Sequence, residues 1–167
     1  LTFTASQDFN GSESFTATIT DGEFSASETF TVTVNAVNDA PTLAAVAGVS
    51  FAEDGSSSLT LSGDDVDGDD LTYSISGGTD ITASIDGVNV TFTASQDFNG
   101  SEEFTAIVTD GEFASSQTFT VTVTPVNDAP TLAAVAGVSF DEDGSGTTAL
   151  SGSDVDGDDL TYSISEG

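Results

Sequence analysis

The chain repeats itself at a constant interval. Residues 1–78 laid on residues 90–167 agree at 62 positions without a gap, an offset of 89 residues throughout. Thr2-Phe3-Thr4-Ala5-Ser6-Gln7-Asp8-Phe9-Asn10-Gly11-Ser12 returns as Thr91–Ser101, and Val37-Asn38-Asp39-Ala40-Pro41 returns as Val126–Pro130. Copies this alike share one fold, so any architecture that explains one must explain both. The interval exceeds the roughly 20–50 residues of solenoid units and approaches the size of one small domain. The repeat therefore predicts an array of autonomous domains. Pro41 and Pro130 each follow an Asn-Asp-Ala turn former, a natural junction. Cutting before Val37 and Val126 gives residues 1–36 as the C-terminal part of one repeat, 37–125 as a complete repeat, and 126–167 as the N-terminal part of the next. The two flanks together lack only the counterpart of Thr79–Asn89. Residue 1 is not Met and no basic, apolar leader follows it, which points to a window of a longer chain.

Period-two alternation fills the repeat. Leu71, Tyr73 and Ile75 alternate with Thr72, Ser74 and Ser76, and Phe119, Val121 and Val123 alternate with Thr118, Thr120 and Thr122. Each such strand has one apolar face and one hydroxyl face, as in a half-buried antiparallel sheet. Asp86-Gly87 and Asp110-Gly111 suit tight hairpins, while Asn99-Gly100 reads as part of a longer connection. No segment carries a helical period. About seven strands are predicted, near 42–52 (broken at Gly48), 57–62, 71–76, 80–85, 88–94, 103–109 and 114–124. The fold class is all-β: seven-stranded, two-sheet sandwiches repeated in tandem.

The residue types that are missing exclude much chemistry. The chain has 29 Asp and Glu and no Lys, Arg or His, a formal charge of −29, and it has no Cys. There is no imidazole base, thiolate nucleophile, Schiff-base amine or disulfide. A basic path for nucleic acid is also absent, and anionic membrane surfaces repel such a chain. No apolar run approaches the roughly 20 residues of a membrane span, so no membrane insertion is expected. Where carboxylates crowd and lose water, their remaining partners are backbone N–H groups and external cations.

They crowd at residues 64–70, Asp-Asp-Val-Asp-Gly-Asp-Asp, where the second copy keeps Asp154, Asp156, Asp158 and Asp159. One reading is a solvated acidic turn, since Asp and Gly favour turns for backbone reasons alone. The other is a hard-cation site, because alternating Asp around a Gly turn wraps oxygens about one ion. Ca2+ takes about 6–8 oxygens in irregular geometry, whereas Mg2+ demands a stricter octahedron. Asp69-Asp70 and Glu102-Glu103 could be offered as glycosidase acid pairs, but strand neighbours face opposite ways and turn residues stay hydrated. The chain is not expected to be an enzyme.

The motifs resemble those of cadherin repeats. Asp65-Val66-Asp67 followed by Leu71-Thr72-Tyr73-Ser74-Ile75 is similar to a cadherin Asp-x-Asp … Leu-x-Tyr-Ser-Ile segment, and Thr109-Asp110-Gly111 to the Ala-x-Asp-Gly turn. Glu53 resembles the Glu that ends the first cadherin strand. Val37-Asn38-Asp39-Ala40-Pro41 resembles the cadherin linker, in the form found in bacterial cadherin-like tandem repeats of large secreted adhesins. The resemblance implies tandem Ig-like/cadherin-like, seven-stranded Greek-key β-sandwich domains with Ca2+ between consecutive domains. By position, the first junction would use Asp8, Asn38, Asp39, Asp65, Asp67 and Asp110. The second would use Glu53, Asp97, Asn127, Asp128, Asp154 and Asp156. Ala36 and Pro125 replace the first linker Asp of the pattern, and Asn10 and Asn99 replace a Glu, so one or two ions per junction are expected in place of three.

These features imply a structural extender: stalk repeats of a bacterial extracellular adhesin or surface fibre, with adjacent repeats of the same chain as partners. Alternatives are a glycan- or protein-binding sandwich and a self-assembling filament subunit built from identical chains. Loop aromatics suited to sugar stacking are scarce, with no Trp and two Tyr, both in predicted strands.

Overall fold

The structure, a computed structural model, describes residues 1–166. It holds strands and turns, with no helix among the described residues. An N-terminal hairpin comprises β1 (Gly11–Thr20) and β2 (Ser25–Val34). The intact repeat follows as β3 (Thr42–Leu43), β4 (Val49–Ala52), β5 (Ser56–Thr60), β6 (Gly63–Asp64), β7 (Thr72–Gly77), β8 (Ile81–Asp86), β9 (Asn89–Ala94), β10 (Gly100–Thr109) and β11 (Ala114–Thr124). Two short strands, β12 (Thr131–Leu132) and β13 (Gly152–Ser153), pair near the C-terminus.

Two sheets make the sandwich. One has the order β4-β11-β10-β7 and the other β5-β9-β8, with β3-β6 as a short ribbon. β4 runs parallel to β11, from Val121↔Val49 to Thr124↔Ala52, and the other pairs are antiparallel. Each predicted strand position carries a strand. The first is interrupted over 44–48, where Val46 N–H and the Leu43 carbonyl turn to the Gln117 side-chain amide. β10 starts at Gly100, so Asn99-Gly100 opens a strand where a longer connection is expected from the sequence.

Alternation puts the core where the pattern says. On β10, Phe104, Ala106 and Val108 are fully buried, and Val121, Val123 and Phe119 of β11 join them. Phe104 and Phe119 are cross-strand partners with rings stacked at 6.2 Å. Phe92 on the opposite sheet meets them edge-on at 5.2 and 6.0 Å, closing the space between the sheets. Such edge-to-face geometry suits the ring quadrupoles. The hydroxyl faces pair across strands outside, as with Ser101 and Thr122 at 2.9 Å.

Glu102 acts as a clasp between sheets. Its carboxylate accepts N–H bonds from Thr79 (2.9 Å), Asp80 (3.1 Å) and Ile81 (3.0 Å), fixing the crossing from β7 to β8. The same crossing needs Gly78, at φ +79°, because a Cβ there would lie 2.1 Å from the Ile81 carbonyl oxygen. Partial burial works against ionisation of Glu102, but the three donors together outweigh it and hold the carboxyl below its ordinary value of 4.5. A lowered folded-state pKa adds stability above that value, and this stability is lost as pH falls through the folded pKa.

Two outcomes follow from this packing. Phe92→Ala should cost about 3–5 kcal/mol in urea denaturation, because it removes the ring that both sheets share. Glu102→Ala should cost about 1–2 kcal/mol at pH 7 by leaving the N–H of buried Ile81 without its acceptor, and the difference should shrink in acid, where the protonated carboxyl accepts without its charge.

Candidate metal centre at the repeat junctions

The parallel pairing of β4 with β11 builds the second junction. Both strands leave the sheet at the same end, and Glu53 N–H continues the ladder to the Thr124 carbonyl at 3.0 Å. Residues 53–54 therefore lie beside the linker that follows Thr124. Glu53 is buried, and its Oε1 accepts the N–H of Val126. Asp54 follows at φ 60°, in the turn closed by Gly55 N–H on the Ala52 carbonyl. Asp97, at φ 56°, sits in the β9–β10 turn. Its left-handed backbone, unusual outside Gly, is tolerated best by Asp and Asn.

Carboxylate oxygens of Asp54, Asp97 and Asp128 all lie within 4.8 Å of one another. Asp128 also donates its N–H to Asp156 Oδ2 at 2.7 Å, and Asp154 Oδ1 accepts the N–H groups of Asp156 and Asp158. Partial burial, followed by the charges of Asp97, Asp156, Asp54 and Glu53, raises the Asp128 carboxyl above its ordinary value. Of the residues read from the sequence for this junction, Asp97 and Asp128 share the cluster, Asp156 accepts the Asp128 N–H, and Glu53 accepts the Val126 N–H. Asp154 shapes the loop that presents Asp156. Asn127 Nδ2 donates to the carbonyl of Asp128. Asp54 was not among the residues read from the sequence, and the signal for it was its place between Glu53 and Gly55.

The first junction follows the same plan from the other side. Asp39 N–H donates to Asp67 Oδ2 at 2.8 Å, as Asp128 does to Asp156. Asp65 Oδ1 accepts N–H bonds from Asp67 (2.9 Å), Gly68 (3.1 Å) and Asp69 (3.4 Å), while its Oδ2 is buried with no hydrogen-bond partner. A cleft between the N-terminal hairpin and the linker is lined by Asp8, Asp39 and Asp67 with Asn10 and Phe9. Asp110 takes a separate role: Oδ1 accepts the N–H groups of Glu112 and Phe113, both at 2.7 Å, and Oδ2 accepts Asn38 Nδ2 at 3.0 Å. The Phe113 N–H is the strongest of the influences holding Asp110 below its ordinary pKa. Asn38 and Asp110 thus tie the linker to the β10–β11 hairpin.

Comparison with known proteins identifies the fold family. The sequence pattern described as "Bacterial Ig domain" matches residues 38–124. The chain belongs to the bacterial Ig domain family. This bacterial Ig chain also resembles solved structures at the level of fold. Extracellular cadherin domains 1–4 of protocadherin gamma B7 align at 20% identity and a TM-score of 0.50, over 86% of this chain and 41% of that one. Human protocadherin-24 EC1-2 aligns at 22% identity and 0.46, over 70% and 62%. An endo-fucoidan hydrolase from glycoside hydrolase family 107 aligns at 21% and 0.42, over 70% and 19%. The bacterial Ig chain spans less than two thirds of each of these structures. No curated protein matches it in sequence.

The raised pKa of Asp128 has a defined sign. The folded state takes up this proton before the unfolded state, so without a cation stability declines as pH rises from 3.8 through the folded pKa. Asp128→Asn should therefore raise the thermal midpoint in chelator at pH 7 and leave it unchanged well below pH 3.8. A lower midpoint at pH 7 would mean that the carboxylate is stabilising there.

Proposed function

We propose that the chain is a run of extender repeats in the stalk of a bacterial extracellular adhesin or surface fibre, stiffened by Ca2+ where consecutive repeats meet. One observation carries this reading: the convergence of Asp54, Asp97 and Asp128 from three separate segments at the end of a repeat. With no Lys, Arg or His in the chain, no side chain can neutralise that cluster. The donor set fits a hard cation, because it is all oxygen and irregularly arranged. The unpartnered, buried Oδ2 of Asp65 supports a similar demand at the first junction. Glu53, Asp54, Asp97, Asp128 and Asp156 would hold the ion at the second junction, and Asp8, Asp39, Asp65 and Asp67 at the first. Bound there, Ca2+ supplies the positive charge that couples one repeat to the linker and to the Asp-rich loop of the next.

Membership of the bacterial Ig family, the likeness to tandem cadherin domains and the cysteine-free, hydroxyl-rich surface support an extracellular structural role. No catalytic role is proposed. For a glycan- or protein-binding module, the exposed aromatics beside the hairpin turns are Phe24 and Phe113.

Calcium titration with melting curves tests the stalk reading. At a Ca2+ concentration 100-fold above the dissociation constant, each site should add about 2.7 kcal/mol. Asp97→Asn should remove most of the gain at the second junction. Small-angle scattering should show a narrower distribution of interdomain distances with Ca2+ than with chelator. Melting curves that coincide in CaCl2 and in NaCl of equal ionic strength would overturn the proposal.

A further inference from the structure

β8 is an edge strand of the intact repeat, where every strand of the sandwich is in place, and part of its outer edge is open. The turn Gly87-Val88 joins it to β9, so Asp86↔Asn89 is the hydrogen-bonded pair that closes the hairpin. Such pairs alternate along an antiparallel ladder with non-hydrogen-bonded ones. Ser84 and Thr82 therefore bond to β9 as Asp86 does, and the Asp80 carbonyl continues the series by accepting the Ser95 N–H at 2.8 Å. Ile81, Ala83 and Ile85 direct their backbone groups away from β9, to a side where no strand pairs with β8. At Ile81 this side is occupied, because its N–H goes to Glu102 and its carbonyl lies against Gly78. The N–H and C=O groups of Ala83 and Ile85 take no hydrogen bond among the described residues. Sheet edges are commonly blunted by Lys, Pro or an inward charge, and Ile81-Thr82-Ala83-Ser84-Ile85 carries none of these.

We infer that β8 pairs antiparallel with β8 of a second copy, about a two-fold axis at Ser84, joining two three-stranded sheets into one. This register sets Ala83 opposite the partner's Ile85, and Ile85 opposite the partner's Ala83. The open groups of each copy then satisfy those of the other in reciprocal N–H···O=C bonds. Ser84 faces the partner's Ser84 in a non-hydrogen-bonded pair. Asp86 faces the partner's Thr82, whose hydroxyl can donate to the carboxylate. Thr82, Ser84 and Asp86 are all exposed, as the pairing requires. Ile85, half-buried at the rim of the core, packs beside the partner's Ala83 on the inner face. Moving the axis to Ala83 would set Asp80 opposite the partner's Asp86, like charge against like, and would call on the occupied groups of Ile81. The surface is self-complementary, so the contact closes at two copies. It involves neither junction and does not depend on the proposed Ca2+ sites. With −29 on each copy, screening by salt favours it.

The chain lacks cysteine, which allows a register-specific test. Chains carrying Ser84→Cys, Thr82→Cys or Asp86→Cys are oxidised separately in chelator at high salt. Across the axis the Cα atoms of position 84 lie about 4.5 Å apart, within disulfide reach, whereas those of position 82 are offset by about 14 Å along the strands. Ser84→Cys should give about tenfold more covalent dimer than either of the others alone, and mixing Thr82→Cys with Asp86→Cys should restore the yield. Because each chain has one cysteine, the bond can form only between copies. Equal yields from the separate variants, or no dimer from Ser84→Cys, would overturn the inference. In sedimentation velocity, the coefficient of the unsubstituted chain should rise with concentration. Ala83→Pro removes an outward N–H and no bond to β9, so it should abolish that rise and keep the far-UV spectrum of the strands. A rise that persists in Ala83→Pro, with that spectrum intact, would overturn the inference as well. A coefficient independent of concentration for the unsubstituted chain counts against it however the variants fold.

Discussion

Every carboxylate in this protein must be satisfied without a basic side chain. The structure meets that constraint with backbone N–H groups. Asp65 takes three, Glu102 takes three, Asp110 takes two, and Asp67 and Asp156 each take the N–H of a linker Asp. Charge-assisted bonds of this kind are stronger than neutral ones, so acidic side chains become the fasteners of the loops. Glu102 ties one sheet to the other, Glu53 ties β4 to the linker, and Asp110 ties the hairpin to Asn38. Backbone N–H donors run short where several segments meet, and the Gln96 side-chain amide donates to Asp97 Oδ2 there at 3.2 Å. Asp54, Asp97 and Asp128 face one another there, and the Asp128 carboxyl is pushed up.

The architecture puts that shortage at the end of the intact repeat. An Ig-like sandwich sends the parallel pair β4 and β11 out of the same end of a sheet. The chain then continues into the linker directly beside the turn at Glu53 and Asp54. Acidic residues distant in sequence, such as Asp54 and Asp128, become neighbours at the point where one repeat hands over to the next. Opposing demands on titration coexist within the unit. Glu102 and Asp110 favour ionisation and stabilise the fold at neutral pH, while Asp128 opposes ionisation and destabilises it there.

Much of this was legible along the chain. Alternation at Phe104, Ala106 and Val108, or at Phe119, Val121 and Val123, gives strand, face and core together, because the side-chain period of a strand is two. The extent of β10 was not legible, since Gly100 adopts φ 152° and enters the ladder where Asn-Gly suggests a loop. Glu102, seen in sequence only as one of two adjacent acids, is a clasp because the crossing from β7 to β8 delivers three N–H groups to it. Asp54 is illegible in the sequence for a similar reason, since its relation to Asp97 and Asp128 exists only across the fold.

The amino-acid sequence by itself determined the strands, their buried faces, the repeat and the residue types at the junctions, because these depend on local periodicity and chemistry. Tertiary structure alone decided which carboxylates meet and which find N–H donors. Phe92 is buried because Phe104 and Phe119 meet it from the other sheet. Burial is a property of what lies across the interface, and no local pattern contains that partner.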